Sequence, residues 1–239
     1  MARTVNAEEF AAKRGQILDI AGRHLDTVGY ERLSIQDVRR EIGMSNGAFY
    51  HYFTSKSALL IAYVERGQDE LDGAFRAIVA DPGLSAPEKF RRFFAALQQR
   101  RSDRRALIAD LARVWFADDN AVVRERTDQV IVERRAPLLS AIVRQGVTEG
   151  VFTASHPDQV GRVVLAISRG MGEAVLRAML ALAEDPAAEQ HLDEVVAGGA
   201  AMAEAIERVL GCTSALLERP DANTVRGWVA ALTTERTST

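Results

Sequence analysis

Cysteine is almost missing. Cys212 stands alone among 239 residues, so no disulfide can form within the chain, and a reducing compartment is its natural setting. Four scattered histidines beside that single thiol give no metal-ligand spacing, and no metal or other cofactor is expected. Aromatics amount to 6%, and runs alternating at period two are absent, which argues against strands. No apolar run reaches the ~18 residues that a membrane-crossing helix needs. The first residues, Met-Ala-Arg-Thr-Val-Asn-Ala-Glu-Glu, lack the apolar core of a signal peptide. A cytoplasmic protein with no membrane partner is therefore expected. There is no glycine-rich phosphate loop and no paired nucleophile and base, so no catalytic residue is assigned and an enzyme is disfavoured.

Alanine, leucine, arginine and glutamate dominate, in a chain long enough to bury a sizeable core in two domains. The net charge of −3 is unevenly distributed: residues 1–56 carry eight basic and seven acidic side chains, so that part is slightly positive. Helical periodicity runs through most of the sequence. From Ala12 to Val28 the apolar positions Ile17, Ile20, Ala21, Leu25 and Val28 recur at three- and four-residue spacing, which predicts an amphipathic helix stopped at Gly29-Tyr30.

The segment Ser34–Lys56 carries the most information. Ser34 is a good N-cap, with Asp37 three residues on, for a helix turning Ile35, Val38 and Ile42 inward. Gly43 predicts its end, since glycine takes the left-handed conformation without a Cβ penalty. Ser45 then caps a second helix, followed by the aromatic group Phe49, Tyr50, Tyr52 and Phe53. Helix, short glycine turn, helix is the DNA-reading arrangement in which the second helix enters the major groove. On that second helix Asn46 suits an adenine edge, and Ala48 or the Tyr50 ring a thymine methyl. Tyr50, His51 and Tyr52 can donate to phosphates, which positions without specifying. Arg39 follows the inward Val38, so its guanidinium is expected to reach solvent or a phosphate. Phe49 and Phe53 are expected to pack beneath the motif, and His24 to be a hydrogen-bonded core histidine. Arg3, Lys13, Arg14, Arg39 and Lys56 are compatible with one DNA-facing surface or with ordinary solvated charge.

The joint spacing of Ile17-Leu18, Ala21, Gly29-Tyr30, Ser34, Val38, Gly43, Ser45, Gly47, Tyr50, Tyr52-Phe53, Lys56 and Leu59 resembles the TetR/AcrR family of bacterial transcriptional regulators. Departures are His24-Leu25, where Leu-Phe is more frequent, Arg39 and Ile42, each in place of an alanine, and Asn46, at a place where many relatives carry a basic residue. The resemblance implies an all-α protein: a three-helix helix-turn-helix DNA-binding domain over 10–70, and a larger helical effector-binding and dimerisation domain over 71–239. It implies DNA contacts by Tyr50 and Lys56 and, together with the residue chemistry above, a DNA surface of Ser34, Arg39, Ser45, Asn46, Ala48, Tyr50, His51, Tyr52 and Lys56. It also implies a homodimer on a pseudo-palindromic double-stranded operator, released by a small molecule of unknown identity.

Beyond residue 67 long helices alternate with breaks at Asp81-Pro82-Gly83, Ser102-Asp103, Asp118–Asn120, Gly150–Phe152, His156-Pro157 and Asp185-Pro186. Pro137 is expected to kink or divide the helix over 121–149, and a last helix near 224–232 to precede a fraying tail. Phe90, Phe93, Phe94 and Leu97, with Arg113, Trp115 and Phe116, are the candidates for an effector chamber, although aromatic stripes at helical spacing are more often core packing than pocket. Ala166, Gly170, Ala174 and Ala178 on one helix, and Ala197, Ala201 and Ala205 on the next, form stripes of small residues suited to close helix contact, within or between subunits. Two other classes remain beside the regulator. A helical partner-binding protein without specific DNA binding would explain the C-terminal half but leave Ser34–Lys56 without purpose; an enzyme lacks its machinery.

Overall fold

The computed structural model describes residues 2–103, 121–185 and 187–234. Regular structure among them is entirely helical: α1 (Ala2–Arg32), α2 (Ile35–Ile42), α3 (Asn46–Tyr52), α4 (Lys56–Ala80), α5 (Ala86–Asp103), α6 (Ala121–Thr148), α7 (Pro157–Glu184), α8 (Glu189–Leu210) and α9 (Ala222–Thr234). The chain divides into two compact units, Met1–Glu70 and Leu71–Thr239. Arg113, Trp115 and Phe116, the break at 118–120 and the tail beyond Thr234 lie outside the described residues.

In the first unit α1 begins well before the expected start at Ala12. Gly29 interrupts its helical geometry at φ 75° and ψ 174°, a conformation open to glycine, yet helix resumes to Arg32. The core is built from Ile17, Ile20, Ala21 and Leu25 of α1, Val38 of α2, Phe49 and Phe53, and Leu59 and Tyr63 of α4. Val28, Ile35 and Ile42 are only half-buried, because short helices on a small core leave their flanks partly open. α1 and α4 approach closely at Gly22, where any Cβ would stand 2.8 Å from the Tyr63 ring.

In the second unit α7 packs against α6 and α8, α5 against α6, and α9 against α7 and α8. A cluster of Phe75, Phe90, Phe93, Leu139, Ile142, Val143, Phe152, Val164, Ile206 and Leu210 forms its main core, and Leu182, Leu192, Val195 and Val225 form a second. Pro137 lies inside α6, which runs unbroken from Ala121 to Thr148. The proline removes one amide donor, but one lost bond in a helix this long, anchored by buried Arg135, Ala136, Leu139 and Ser140, does not divide it. α6 and α7 nearly touch at Gly161, whose amide donates to Ser140 Oγ at 3.2 Å while that hydroxyl donates to the Asp158 carbonyl at 3.0 Å.

Three helices end in one way. After α2, Gly43 donates to the Arg40 carbonyl and Met44 to that of Arg39; after α6, Gly150 and Val151 donate to Val147 and Gly146; after α8, Gly211 and Cys212 donate to Arg208 and Glu207. The paired bonds define Schellman motifs, and each glycine has positive φ.

Candidate nucleic-acid interface

The helix-turn-helix is assembled from its caps. The Gln36 amide donates to Ser34 Oγ at 3.2 Å, starting α2. Gly43, at φ 69° and ψ 36°, closes it. Ser45 Oγ accepts from the Ala48 amide at 3.3 Å, starting α3, and Ser55 does the same for Ala58 at the head of α4. These residues therefore act on backbone geometry in the free protein. Ser34 is half-buried and Ser45 exposed.

Helical period sorts α3 into two faces. Phe49 is fully buried and meets Phe53 at 6.0 Å between ring centroids, so both aromatics pack beneath the motif. Asn46, Ala48, Tyr50 and His51 are exposed, Tyr50 by 44%. Tyr52 is half-buried, and its ring stacks on Phe10 at 4.6 Å, with His51 edge-on to Phe10 at 5.6 Å. Phe10 thus supports this face from the start of α1. Its sequence signal is faint, a lone aromatic ahead of the recognised periodicity.

Two basic residues are held differently from expectation. Arg39 is half-buried: its Nη1 donates to Asn46 Oδ1 at 3.0 Å across the turn, and its Nε is buried without a hydrogen-bond partner among the described residues. Packing between α2 and α3 turns the guanidinium sideways rather than freely outward. Lys56 donates through Nζ to the Glu31 carbonyl at 3.0 Å and stands 4.5 Å from the Tyr30 ring centre. It thereby stabilises the C-terminal end of α1, where unpaired carbonyls carry partial negative charge. Arg14 lies 5.0 Å from the Phe53 ring centre.

His24 and Arg23 reach from α1 to Glu41 on α2, His24 Nε2 at 2.8 Å from the carboxylate. Hydrogen bonds from Arg23, then from His24, hold the Glu41 carboxyl below its ordinary range. His24 is thus a hydrogen-bonded tie between two helices of the motif. The remaining candidates lie in the second unit. Phe90 and Phe93 are fully buried, Phe93 stacked on Phe75 at 3.7 Å and Phe90 on Phe94 at 5.0 Å, with Phe94 and Leu97 partly buried beside them. Ala166, Gly170 and Ala174 of α7 and Ala197 and Ala201 of α8 are exposed, Ala205 is half-buried, and Ala178 is buried. No helix among the described residues is long and apolar enough to cross a membrane.

A capped helix, a Schellman turn and a second helix that buries its phenylalanine and exposes its polar side define a helix-turn-helix protein. Residues 17–63 match the family described as bacterial regulatory proteins, tetR family, so this part of the chain is a TetR-type helix-turn-helix. The chain is similar to the HTH-type transcriptional repressor Rv1474c of Mycobacterium tuberculosis, 28% identical over 140 residues that cover 55% of this chain and 72% of that protein. The HTH-type transcriptional regulator EthR of Mycolicibacterium smegmatis is 30% identical over 86 residues, 34% of this chain and 40% of that one. Among solved structures, a transcriptional regulator from Cytophaga hutchinsonii aligns with TM-score 0.63 at 14% identity over 83% of this chain and 97% of its own. A TetR-family regulator from Pectobacterium atrosepticum gives 0.61 at 19% over 85% and 96%. At those identities the structures speak for the fold alone, an N-terminal helix-turn-helix followed by a larger helical region. The protein is a DNA-binding transcriptional regulator, of a family that regulates rather than catalyses.

Proposed function

We propose that this regulator is a repressor that binds a pseudo-palindromic operator as a homodimer and leaves it when a small molecule enters the unit Leu71–Thr239. The observation that carries this reading is the exposed side of α3, where Asn46, Ala48, Tyr50 and His51 face solvent above a fully buried Phe49. Ser34 and Ser45 fix the ends of the two helices, Tyr52 is steadied by Phe10, and Lys56 sits near the head of α4 with ammonium protons left over for a phosphate. The repressing sense is supported by the similarity to Rv1474c, itself described as a repressor.

The dimer is supported by the exposed small-residue faces of α7 and α8, which let a second copy's helices approach closely. Twofold symmetry then presents two reading helices to two half-sites about one DNA turn apart. The effector is supported by the aromatic cluster of Phe90, Phe93, Phe94 and Leu97. An effector that enters among these rings must separate them, which gives it different affinities for two states of the unit and hence a means of release.

The test is binding of the purified protein to the DNA flanking its own gene, at two salt concentrations, beside Tyr50→Ala and Lys56→Ala. A specific complex with a steep salt slope, lost in Tyr50→Ala and weakened in Lys56→Ala, is expected. A Tyr50→Ala protein that binds as tightly as wild type would overturn the assignment of this face. Folded protein that selects no sequence even from a random pool would favour the partner-binding alternative.

A further inference from the structure

Arg39 and Asn46 are joined across the turn of the motif, and the direction of that bond has a consequence for the bases read. The Asn46 carboxamide has one acceptor and one pair of donors. Its acceptor, Oδ1, is engaged by Arg39 Nη1 at 3.0 Å. The bond lies at the surface, but the Arg39 side chain behind it is half-buried. The Arg39 carbonyl accepts from Met44 in the Schellman turn at 3.0 Å, and its Nε is buried without a partner among the described residues. A buried unpaired N–H is costly, so packing, not solvent, sets where this guanidinium points. Because guanidinium offers only donors, the carboxamide is held with oxygen toward Arg39 and its NH2 away from it.

Resting on the operator-binding reading above, we propose that Arg39 is a specificity-positioning residue which turns the Asn46 NH2 to the groove, selecting guanine rather than adenine. An asparagine that recognises adenine needs both its groups, Oδ1 to accept from N6 and the NH2 to donate to N7. With one lone pair of Oδ1 engaged and the oxygen turned toward Arg39, the side chain turns its NH2 to the groove, and the remaining Nη hydrogens of Arg39 add to the same sign. Guanine presents two acceptors in the major groove, O6 and N7; cytosine presents a donor and is the poorest match. The pair reads as one unit, and a substitution of Arg39 therefore alters base preference at the position read by Asn46.

The experiment is selection of duplexes from a random pool by the full-length protein and by Asn46→Ala, Asn46→Asp and Arg39→Ala. Wild type is expected to enrich guanine about tenfold over adenine at one position per half-site, and Asn46→Ala to lose that preference there alone. Asn46→Asp keeps the partner for Arg39 but replaces the NH2 with an acceptor, and is expected to shift the preference to cytosine. Arg39→Ala frees the carboxamide and is expected to relax it toward adenine. Asn46 is exposed, so the aspartate variant carries the test even if Arg39→Ala fails to fold. Adenine at the Asn46-dependent position in wild type, no change at any position in Asn46→Ala, or a guanine preference that persists in Asn46→Asp or in folded Arg39→Ala would each overturn the proposal. Failure of folded wild type to enrich any sequence would instead overturn operator reading itself, and this inference with it.

Discussion

Neighbouring residues on α3 divide between the core and the exposed face. Phe49 is fully buried between the helices of the motif, whereas Tyr50 keeps 44% of its surface in solvent. Truncating a buried phenylalanine removes its transfer energy and leaves a cavity, so Phe49→Ala is expected to cost about 3–5 kcal/mol. In a unit of this size that is most of the available stability. Tyr50→Ala is expected to stay within about 0.5–1 kcal/mol of wild type while losing operator binding. Urea unfolding followed by helix content distinguishes them; equal destabilisation would show that Tyr50 is part of the core. Much at this scale was legible in the sequence. Ser34, Gly43 and Ser45 act through their own backbone neighbourhood, and their chemistry announces it. The tie of Arg39 to Asn46, the docking of Lys56 on Glu31 and Tyr30, and the stacking of Phe10 on Tyr52 were not legible, since each depends on how helices separated by a turn come to lie. A long basic side chain has several partners in reach, and only packing chooses.

Helices meet where side chains are smallest, and a glycine at such a contact is worth more than its propensity suggests. An ideal Cβ on Gly161 would press into the Ala136 carbonyl and stand 2.7 Å from Ser140 Oγ. Backbone cannot rotate away as a side chain can. Gly161→Ala, although favourable by about 1 kcal/mol in an isolated helix, is therefore expected to destabilise the α6–α7 pair by about 1–3 kcal/mol. Gly170→Ala on the same helix meets nothing within 4 Å, and is expected to gain the propensity term. Thermal unfolding of the two variants should move in opposite directions. The end of α8 supplies a pH-dependent counterpart. Burial would raise the Glu207 carboxyl, but bonds from the Leu217 and Leu216 amides, at 3.0 and 2.6 Å, and from Arg219 outweigh it and hold it below its ordinary 4.5. A depressed carboxylate contributes stability in full above its unfolded value and loses it as pH falls through the folded one. Glu207→Gln is expected to cost about 1–3 kcal/mol at neutral pH, with the difference from wild type shrinking below about pH 4.5. A difference that stays constant with pH would mean that the charge is irrelevant. Legibility at this scale was mixed. The breaks at Asp81-Pro82-Gly83, Gly150 and Asp185 were plain, but of the kink or division expected at Pro137, α6 does not make the division, because neighbouring buried residues outweigh one absent donor.

At the scale of the whole molecule the question is what α7 and α8 leave uncovered. Spacing by four placed Ala166, Gly170, Ala174 and Ala178 on a single face, yet a helix of 3.6 residues per turn rotates such a row by about 40° at each step. Over three steps the row leaves the surface, and Ala178 is buried with Leu182, Leu192 and Val195. What remains outside is shorter: Ala166, Gly170 and Ala174, bordered by Val163 at 41% exposure, with Ala197 and Ala201 on α8. Small exposed side chains on adjacent helices allow two copies to approach until their backbones nearly touch, and a long charged side chain there would prevent it without disturbing either helix. If the proposed dimer forms through these faces, Ala174→Glu with Ala201→Glu turns a dimeric wild type into a monomer of unchanged helix content by analytical ultracentrifugation. Its affinity for a full operator should fall toward that for one half-site, since the second reading helix is no longer held at a fixed distance and its high effective concentration is lost. A double variant that still sediments as a dimer would place the interface elsewhere. A variant that becomes monomeric yet binds the full operator undiminished would show that each chain reads DNA independently, and that twofold symmetry is not what sets the affinity.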